Sequence, residues 1–372
     1  MENTKTPFEL IDELEHEQVV FCSSKETGLK AIIGIHNTSL GPALGGTRMW
    51  QYANDMEALV DVLRLSRGMT YKAAVAGLNL GGGKAVIIGD SRTQKSEQLF
   101  RAFGRFVEGL SGRYITAEDV GTNVKDMEYI MQETRHVTGI PEEVGGSGDP
   151  SPVTAYGTYV GMKACAQEVY GSDSLNGKKI VVQGAGGNVG KHLCEFLHKE
   201  GAKLYVSDLY EEKLKPLVDE FKATVVGMDD VYSVDADIFS PAALGAILND
   251  DTIPKLKVKI VAGAANNQLK DEHKHGQMLK DRGILYAPDY VINSGGLINV
   301  YTELEGYNRE RAMKKAASIY DIVKNIIDIS KDENIPPHVA SAQVAIERIN
   351  NVSSAKKIRV YRDANLFKMR NS

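Results

Sequence analysis

The sequence predicts an α/β protein with two domains, one of mixed α/β structure and one built on a doubly wound parallel sheet. Three observations support this fold class. The chain of 372 residues is too long for one typical hydrophobic core. Strand-like and helix-like segments alternate through its second half, which is typical of parallel sheets. Residues 145–152, rich in glycine and proline, are the best candidate for a hinge between the domains.

Composition and charge exclude several classes of protein. A net charge of −5 and a pI near 6.0 leave no basic footprint for nucleic acid. No run approaches the ~18 apolar residues of a membrane span, and the acidic N-terminus lacks the apolar core of a signal peptide. The three cysteines, Cys22, Cys165 and Cys194, are few and widely spaced, which indicates a reducing compartment without disulfides or zinc. A cytoplasmic protein is expected.

The first domain is expected to begin with a hairpin of strands over residues 18–22 and 30–36. Residues 37–50 are predicted to form an irregular loop, whose glycines could present amides to an anion or simply turn the chain. Helices are predicted after the N-capping residues Asn54 and Ser96. A strand over residues 114–117 leads to an acidic pair, which lies either in a cleft or on the surface.

The stretch from residue 68 to residue 88 carries two lysines, Lys72 and Lys84, in a setting with little other charge. A glycine triplet, Gly81-Gly82-Gly83, is interpreted as a turn before a buried strand over residues 85–88. Burial and a neighbouring ammonium group each lower the pKa of a lysine, which suits it to acid–base catalysis. The alternative is a pair of surface lysines beside a flexible turn.

The second domain opens with the pattern of a dinucleotide-binding fold. A strand over residues 179–183 is followed by the glycine-rich residues 184–190 and then by a helix. The spacing Gly-x-Gly-x-x-x-Gly is one residue longer than the common fingerprint. The next strand, residues 203–207, ends at Asp208, whose carboxylate can accept both ribose hydroxyls and would repel a 2′-phosphate. The pattern therefore predicts a Rossmann-type domain that binds NAD rather than NADP.

The last third of the chain is predicted to be largely helical. One long helix over residues 309–330 carries an apolar face and is expected to reach back to the first domain, as is a helix over residues 339–349. His273 and His275 lie in a charged segment and are expected on a solvated surface, so no metal site is predicted. The basic tail, residues 356–370, is expected either to make a subunit contact or to be disordered.

Four separated motifs, in order, resemble the amino-acid dehydrogenases that act on glutamate, leucine, phenylalanine and valine. The motifs are residues 41–50, 68–88, 113–121 and 287–293, and the likeness covers nearly the whole chain. The resemblance implies a substrate-binding and oligomerisation domain of residues 1–148 plus 332–372 and an NAD-binding domain of residues 149–331. It also implies a homo-oligomer that uses NAD to deaminate branched-chain L-amino acids (leucine, valine, isoleucine) reversibly to 2-oxo acids and ammonia.

The resemblance also implies roles for individual residues. Lys84 would activate the water that attacks the imino carbon, Asp119 would shuttle protons, and Lys72 would hold the substrate carboxylate. Gly46 would lie against the substrate. The pocket for the substrate side chain would be formed by Leu44, Ala117, Leu297 and Val300. The cofactor would be contacted by Thr154, Gly184, Gly186, Gly187, Asn188, Val189, Asp208, Ala242, Ala264, Asn267 and Asn293.

The apolar pocket predicts the substrate class, because a glutamate side chain would be left unpaired there. A valine is common in the family at the position of Leu297, so the additional methylene predicts a tilt of about 1 kcal/mol towards valine or isoleucine. Three alternatives stay open: a dehydrogenase of phenylalanine or another apolar amino acid, a dehydrogenase of a hydroxy acid or alcohol, and a non-catalytic protein that binds NAD.

Overall fold

The strands of the protein fall into two sheets in a computed structural model that describes residues 5–243 and 245–355. The strands of the first sheet are β1 (Gln18–Ser24), β2 (Leu29–Asn37), β3 (Ala43–Leu44), β4 (Thr47–Trp50), β5 (Gly81–Ile88) and β6 (Tyr114–Ile115). Their order is β1-β2-β5-β3-β6, and β4 also pairs with β5. The first two pairings are antiparallel and the others parallel, so the sheet is mixed. The predicted hairpin is confirmed.

Helices cover both faces of the first sheet. They are α1 (Pro7–Glu13), α2 (Asp55–Val75), α3 (Glu97–Glu108) and α4 (Val124–Met131). Alternate residues of a strand point to opposite faces, so Ile32 packs with α2 on one side, while Ile33 packs with α3 and α4 on the other. The predicted caps are confirmed: the side chain of Asn54 accepts the N–H of Glu57, and that of Ser96 accepts the N–H of Leu99.

The glycine triplet does not form a turn, which corrects the prediction from sequence. Its three residues are instead the first residues of β5. Glycine is needed there because close neighbours on both faces of the sheet leave no room for side chains. A Cβ on Gly82 would lie 2.1 Å from Oγ1 of Thr70 in α2, and one on Gly83 would lie 2.6 Å from the ring of Tyr114. The triplet therefore lets α2 approach the sheet closely, which places two lysine-bearing elements side by side.

The second sheet is entirely parallel. Its strands are β7 (Lys179–Gln183), β8 (Lys203–Ser207), β9 (Thr224–Val225), β10 (Ile238–Pro241), β11 (Ile260–Val261) and β12 (Leu285–Tyr286). The order β12-β11-β10-β7-β8-β9 is that of a doubly wound dinucleotide-binding sheet. The strand order reverses between β7 and β10, and ligands of such sheets bind outside the carboxyl ends of the strands at that point. The predicted Rossmann-type architecture is confirmed.

The remaining helices surround this sheet and connect it to the first. They are α5 (Ser151–Tyr170), α6 (Asn188–Lys199), α7 (Lys215–Phe221), α8 (Glu272–Asp281), α9 (Asp289–Ile292), α10 (Gly295–Leu304), α11 (Arg309–Ala317), α12 (Ile319–Asp332) and α13 (Pro337–Ala355). The last helix returns to the first sheet, where Arg348 donates to the carbonyl of Leu78, which lies between α2 and β5, at 2.7 Å. This contact agrees with the predicted packing of the C-terminal helix. The domain boundaries stay a prediction, and the basic tail lies outside the described residues.

Three further expectations are wrong. Residues 37–50 contain β3 and β4 rather than a loop, because both short strands pair with β5. The single helix predicted over residues 309–330 is divided at Ser318, whose hydroxyl donates to the carbonyl of Lys315 and competes with helical bonding. His273 is exposed as expected, but His275 is buried and accepts the N–H of Asp271 at 2.9 Å.

None of the helices within residues 5–243 and 245–355 is long and apolar enough to cross a bilayer. All three cysteines are buried and unpaired.

Candidate active site

An ion pair between the buried Lys84 and the half-buried Asp119 forms the centre of the site. Lys84 lies on β5 with 5% of its surface exposed, and Asp119 lies in the loop that follows β6. The amine of Lys84 is 2.9 Å from Oδ1 of Asp119. The other oxygen, Oδ2, accepts a hydrogen bond of 3.0 Å from Nε of Arg48, on β4. Both carboxylate oxygens are therefore bound to cations.

Charge and burial act on Asp119 in opposite directions. Burial by itself raises the pKa of Asp119, but the ammonium of Lys84 and the guanidinium of Arg48 outweigh it and hold the pKa below its usual range. Its neighbour Glu118 has no such cations, and burial together with the carboxylates of Asp149 and Asp119 raises its pKa. Of the two adjacent acids, only Asp119 has cations that stabilise its ionised form.

Lys72 reaches the same region from the last turn of α2 and connects the first sheet to the second. Its amine donates a hydrogen bond of 2.6 Å to Oδ1 of Asn293, just after α9. The amide nitrogen of Asn293 donates to the carbonyl of Ala264 at 3.0 Å and to Oδ1 of Asn266 at 2.7 Å, both beyond the end of β11. The site therefore lies between the two sheets, with Asn293 bridging them.

The environment of Lys72 favours loss of its proton. Desolvation is the main cause that lowers the pKa of Lys72 to about 8; the carboxylate of Asp289 opposes this shift and the ammonium of Lys84 adds to it. Lys84 is buried on β5 and Lys72 is half-buried on α2, and these two elements pack closely at Gly82, where a Cβ would lie 2.1 Å from Oγ1 of Thr70. The sequence-based alternative of two solvated surface lysines is wrong.

The side-chain pocket predicted from the resemblance is apolar. Leu297 and Val300 lie three residues apart on α10, as predicted, and belong to the same hydrophobic cluster as Leu44 of β3. Ala117 is buried two residues before Asp119. Gly46 lies against Asp119, since a Cβ there would be 2.9 Å from Cβ of Asp119.

The glycine turn after β7 fits a dinucleotide. Gly184 has a positive φ of 80°, which makes the tight turn that side chains disfavour. Gly190 lets α6 pack on the turn, because a Cβ there would meet the carbonyl oxygen of Gly184 at 2.3 Å. Gly187 and Asn188 are exposed at the start of α6, where amides without intrahelical acceptors can bind a pyrophosphate. Val189 follows in the same first turn.

Asp208 lies beside this turn at the end of β8. Its Oδ2 accepts the N–H of Gly186 at 2.9 Å, and its Oδ1 accepts the N–H of Tyr210 at 3.1 Å. A Cβ on Gly186 would lie 2.9 Å from Oδ2 of Asp208, so the second glycine is needed for this approach. The carboxylate is thereby fixed at the edge of the crevice, the place where a ribose is expected.

Two of the other predicted cofactor contacts lie at the carboxyl edge of the second sheet. Ala242 and Ala264 follow the ends of β10 and β11. Thr154, in the first turn of α5, lies 2.8 Å from where a Cβ on Gly296 would be. Asn267 is exposed in a left-handed backbone conformation with φ of 51°, and its carbonyl accepts the N–H of Ala246.

Reasoning from sequence missed the second partner of Asp119. Arg48 lies within a motif that carries the family resemblance, but nothing in the local pattern distinguishes it from a surface arginine. Its Nη1 is 3.0 Å from Oδ2 of Asp61 on α2, which also accepts a hydrogen bond of 2.6 Å from Tyr52. Its place in that motif was the signal that could have pointed to it.

The chain matches two family models that together span most of its length. One is described as Glu/Leu/Phe/Val dehydrogenase, dimerisation domain, and matches residues 16–136. The other, Glutamate/Leucine/Phenylalanine/Valine dehydrogenase, matches residues 145–210 and 205–356.

Curated and solved relatives agree with these matches. The chain is 60% identical to a leucine dehydrogenase of Geobacillus stearothermophilus over 349 residues, covering 94% of this chain and 95% of the relative. It is 57% identical to a leucine dehydrogenase of Thermoactinomyces intermedius over 364 residues, covering 98% and 99%. The crystal structure of L-tryptophan dehydrogenase from Nostoc punctiforme superposes with a TM-score of 0.83 at 49% identity, covering 93% and 99%.

Proposed function

Since the chain belongs to the Glu/Leu/Phe/Val dehydrogenase family, we propose that it catalyses the reversible, NAD-dependent oxidative deamination of branched-chain L-amino acids. The products would be 2-oxo acids and ammonia. The observation that carries the proposal is the pairing of Lys84 with Asp119, with Lys72 beside it, between a dinucleotide-binding sheet and an apolar pocket. A hydroxy-acid or alcohol dehydrogenase would have no use for this set of ammonium groups.

The two lysines have different tasks in this proposal. Lys72 holds the substrate carboxylate by its positive charge. The carboxylate would take the place of Asn293 as acceptor of one hydrogen bond from the ammonium of Lys72. Lys84 in its amine form takes a proton from the water that attacks the imino carbon, and later returns a proton to the departing ammonia. Asp119 exchanges protons with Lys84 through Oδ1, which lies within hydrogen-bonding distance.

Dehydrogenases of this family require a nicotinamide dinucleotide, which accepts the hydride from the substrate Cα when it is bound. For this chain we propose NAD. The glycine turn and the first amides of α6 would hold the pyrophosphate, and Asp208 would hold the ribose. A 2′-phosphate would meet the carboxylate of Asp208, and like charges repel.

The identity of the substrate rests on the pocket and on the relatives. The predicted lining residues are all apolar, so a hydrocarbon side chain can be buried there without unpaired polar groups. Curated relatives at 57–60% identity are leucine dehydrogenases. A phenylalanine dehydrogenase of Lysinibacillus sphaericus, 55% identical over 82% of this chain, makes an aromatic amino acid the second candidate.

The proposal includes assembly and location. The first family model is named for dimerisation, which supports a homo-oligomer formed through the first domain. Three unpaired cysteines support a reducing, cytoplasmic location.

A spectrophotometric screen tests the proposal directly. The enzyme would be assayed with NAD and NADP against the twenty amino acids, and in reverse with 2-oxo acids with and without ammonia. Reduction of NAD by leucine, valine and isoleucine, and a reverse reaction that requires ammonia, are expected. A reverse reaction independent of ammonia would contradict deamination, and binding of NAD without turnover would indicate a non-catalytic protein.

A substitution of Lys84 tests its role. Lys84→Ala should lower kcat by roughly 10²–10⁴-fold, the usual range for loss of acid–base catalysis. The control is Lys125→Ala, which removes an exposed lysine on α4 whose contacts are with Glu128 and Tyr129 of the same helix. A folded Lys84→Ala enzyme with the turnover of the control would refute the assignment.

A further inference from the structure

We propose that Arg48 is a positioning residue for the catalytic pair: anchored by Asp61, it fixes the carboxylate of Asp119 so that a single oxygen faces Lys84. This inference rests on the proposed function, since it assumes that Lys84 and Asp119 carry out the acid–base steps. Arg48 does not act on the substrate in this proposal. It acts through Asp119.

The geometry divides the carboxylate between two cations. Nε of Arg48 binds Oδ2 of Asp119 at 3.0 Å, and the amine of Lys84 binds Oδ1 at 2.9 Å. The terminal torsion of an aspartate side chain has a broad, roughly two-fold profile, so one ion pair alone leaves the two oxygens able to exchange places. A second cation at the other oxygen removes that freedom, and charge-assisted hydrogen bonds are the stronger kind.

Arg48 is itself held from its far side. Its Nη1 lies 3.0 Å from Oδ2 of Asp61, and the same oxygen accepts the hydroxyl of Tyr52 at 2.6 Å. The side chains of Arg48, Asp61 and Asp119 are each less than one-third exposed, so water screens these contacts only partly. The guanidinium therefore forms a rigid bridge between α2 and the catalytic loop.

The sheet places this bridge next to Lys84. In the parallel pairing of β4 with β5, Arg48 lies opposite Val86, which is two residues from Lys84 and so on the same face. The backbone of Asp119 is held as well, since its N–H donates to Oγ1 of Thr122 at 2.9 Å. Loop and side chain are thus both fixed, and only Oδ1 is directed at the catalytic amine.

Other charged or titratable groups also act on Lys84 and Asp119, and they limit how large the effect of Arg48 can be. Lys72 adds a cation from α2, and Glu118 adds a carboxylate from the same loop as Asp119. Asp119 also acts electrostatically on Tyr52, two residues after β4, and on Tyr114 of β6; burial raises the pKa of both tyrosines, so they stay neutral. Among these groups, Lys84 and Arg48 are the cations that lower the pKa of Asp119.

Removal of Arg48 has two separable consequences. A misplaced catalytic group costs up to about 10²-fold in rate, so Arg48→Gln should lower kcat by roughly 10- to 100-fold. The KM for the amino acid should stay within about threefold, because Lys72 and the apolar pocket are untouched. Loss of a cation also favours proton uptake by the catalytic pair, so the acid limb of the pH profile of kcat/KM should move up by about one pH unit.

Two further variants separate position from charge. Arg48→Lys keeps the charge but loses the planar fork, so it should lower kcat while leaving the acid limb in place. Asp61→Asn keeps Arg48 and frees its far end, so it should lower kcat by several-fold without moving the limb upward. Arg105→Gln is the matched control, since Arg105 pairs with Glu133 on the exposed surface of α3, and it should match the wild type.

The experiment is a set of pH profiles of kcat and kcat/KM for the full-length enzyme and these four variants, with thermal unfolding measured in parallel. A folded Arg48→Gln enzyme with the turnover of the wild type and the same acid limb in its pH profile would refute the role of Arg48. It would leave the proposed function intact. If Arg48→Gln does not fold, Arg48→Lys and Asp61→Asn decide, and wild-type turnover in both would overturn the proposal. A wild type inactive on every amino acid would instead refute the proposed function, and the role of Arg48 with it.

Discussion

The size of the substrate pocket should depend on a single methylene of Leu297. This residue is 5% exposed on α10, where it clusters with Leu44 and Val300. Leu297→Val withdraws one methylene from the wall, which is worth about 1 kcal/mol or about a fivefold change in a rate ratio. Leucine is larger than valine, so the additional space should raise kcat/KM for leucine more than for valine. The ratio of kcat/KM for leucine to that for valine should therefore rise about fivefold in the variant.

The assay is the initial rate of NADH formation with leucine and valine on one preparation of each enzyme. The ratio of the two rates cancels the concentration of active enzyme, so partial unfolding does not disturb it. Leu175→Val is the control, because Leu175 is fully buried just before β7, where its N–H donates to the carboxylate of Glu200. It should lose comparable stability and leave the ratio unchanged.

Two results would refute the reasoning. A leucine-to-valine ratio that is unchanged or lower in Leu297→Val would show that this side chain does not limit the pocket. A wild-type preference for phenylalanine would show that the pocket is far larger than a branched aliphatic chain, and it would contradict the expected tilt towards valine and isoleucine.

Other predictions concern protons and the cofactor. Desolvation lowers the pKa of Lys72 to about 8, so its charge is lost as pH rises through that value. The Ki of 4-methylpentanoate, an analogue without the amino group, should therefore rise above about pH 8, and a constant Ki would count against carboxylate binding by Lys72. Burial lowers the pKa of His16 to about 4 and that of His36 to about 3. The unfolded chain therefore binds more protons below about pH 6.5, and stability should fall by about 2 kcal/mol per histidine on reaching pH 5. Thermal unfolding should show that His36→Gln loses less stability than the wild type between neutral pH and pH 5. An equal loss of stability would show that His36 does not contribute to this pH dependence. Asp208→Ala should lower the ratio of kcat/KM for NAD over NADP by roughly tenfold or more, whereas an unchanged ratio would mean that Asp208 does not read the ribose.

Local patterns in the sequence predicted much of the fold because the relevant chemistry lies within a few residues. Capping side chains bond to backbone groups three residues away, as at Asn54 and Ser96. A strand, a glycine turn and a helix follow one another directly around Gly184. Right-handed crossover connections then restrict the strand orders that such a sheet can adopt.

The same reasoning failed where a segment's structure depends on distant partners. The glycine triplet at the start of β5 has the composition of a turn, yet it is a strand because α2 and Tyr114 press on it from both faces. The short strands β3 and β4 have almost no pattern of their own and exist through pairing with β5. Tertiary context overrides local propensity in such segments.

The sequence by itself determined the fold class, the family, the dinucleotide turn and the identity of the two lysines and the aspartate, because these are carried by residue types in contiguous motifs. The tertiary structure alone decided which groups meet. Arg48 reaches Asp119 across 71 residues of chain, and Lys72 reaches Asn293 across 221. Such contacts depend on strand order and helix packing, which bring distant segments together and leave no local trace in the sequence.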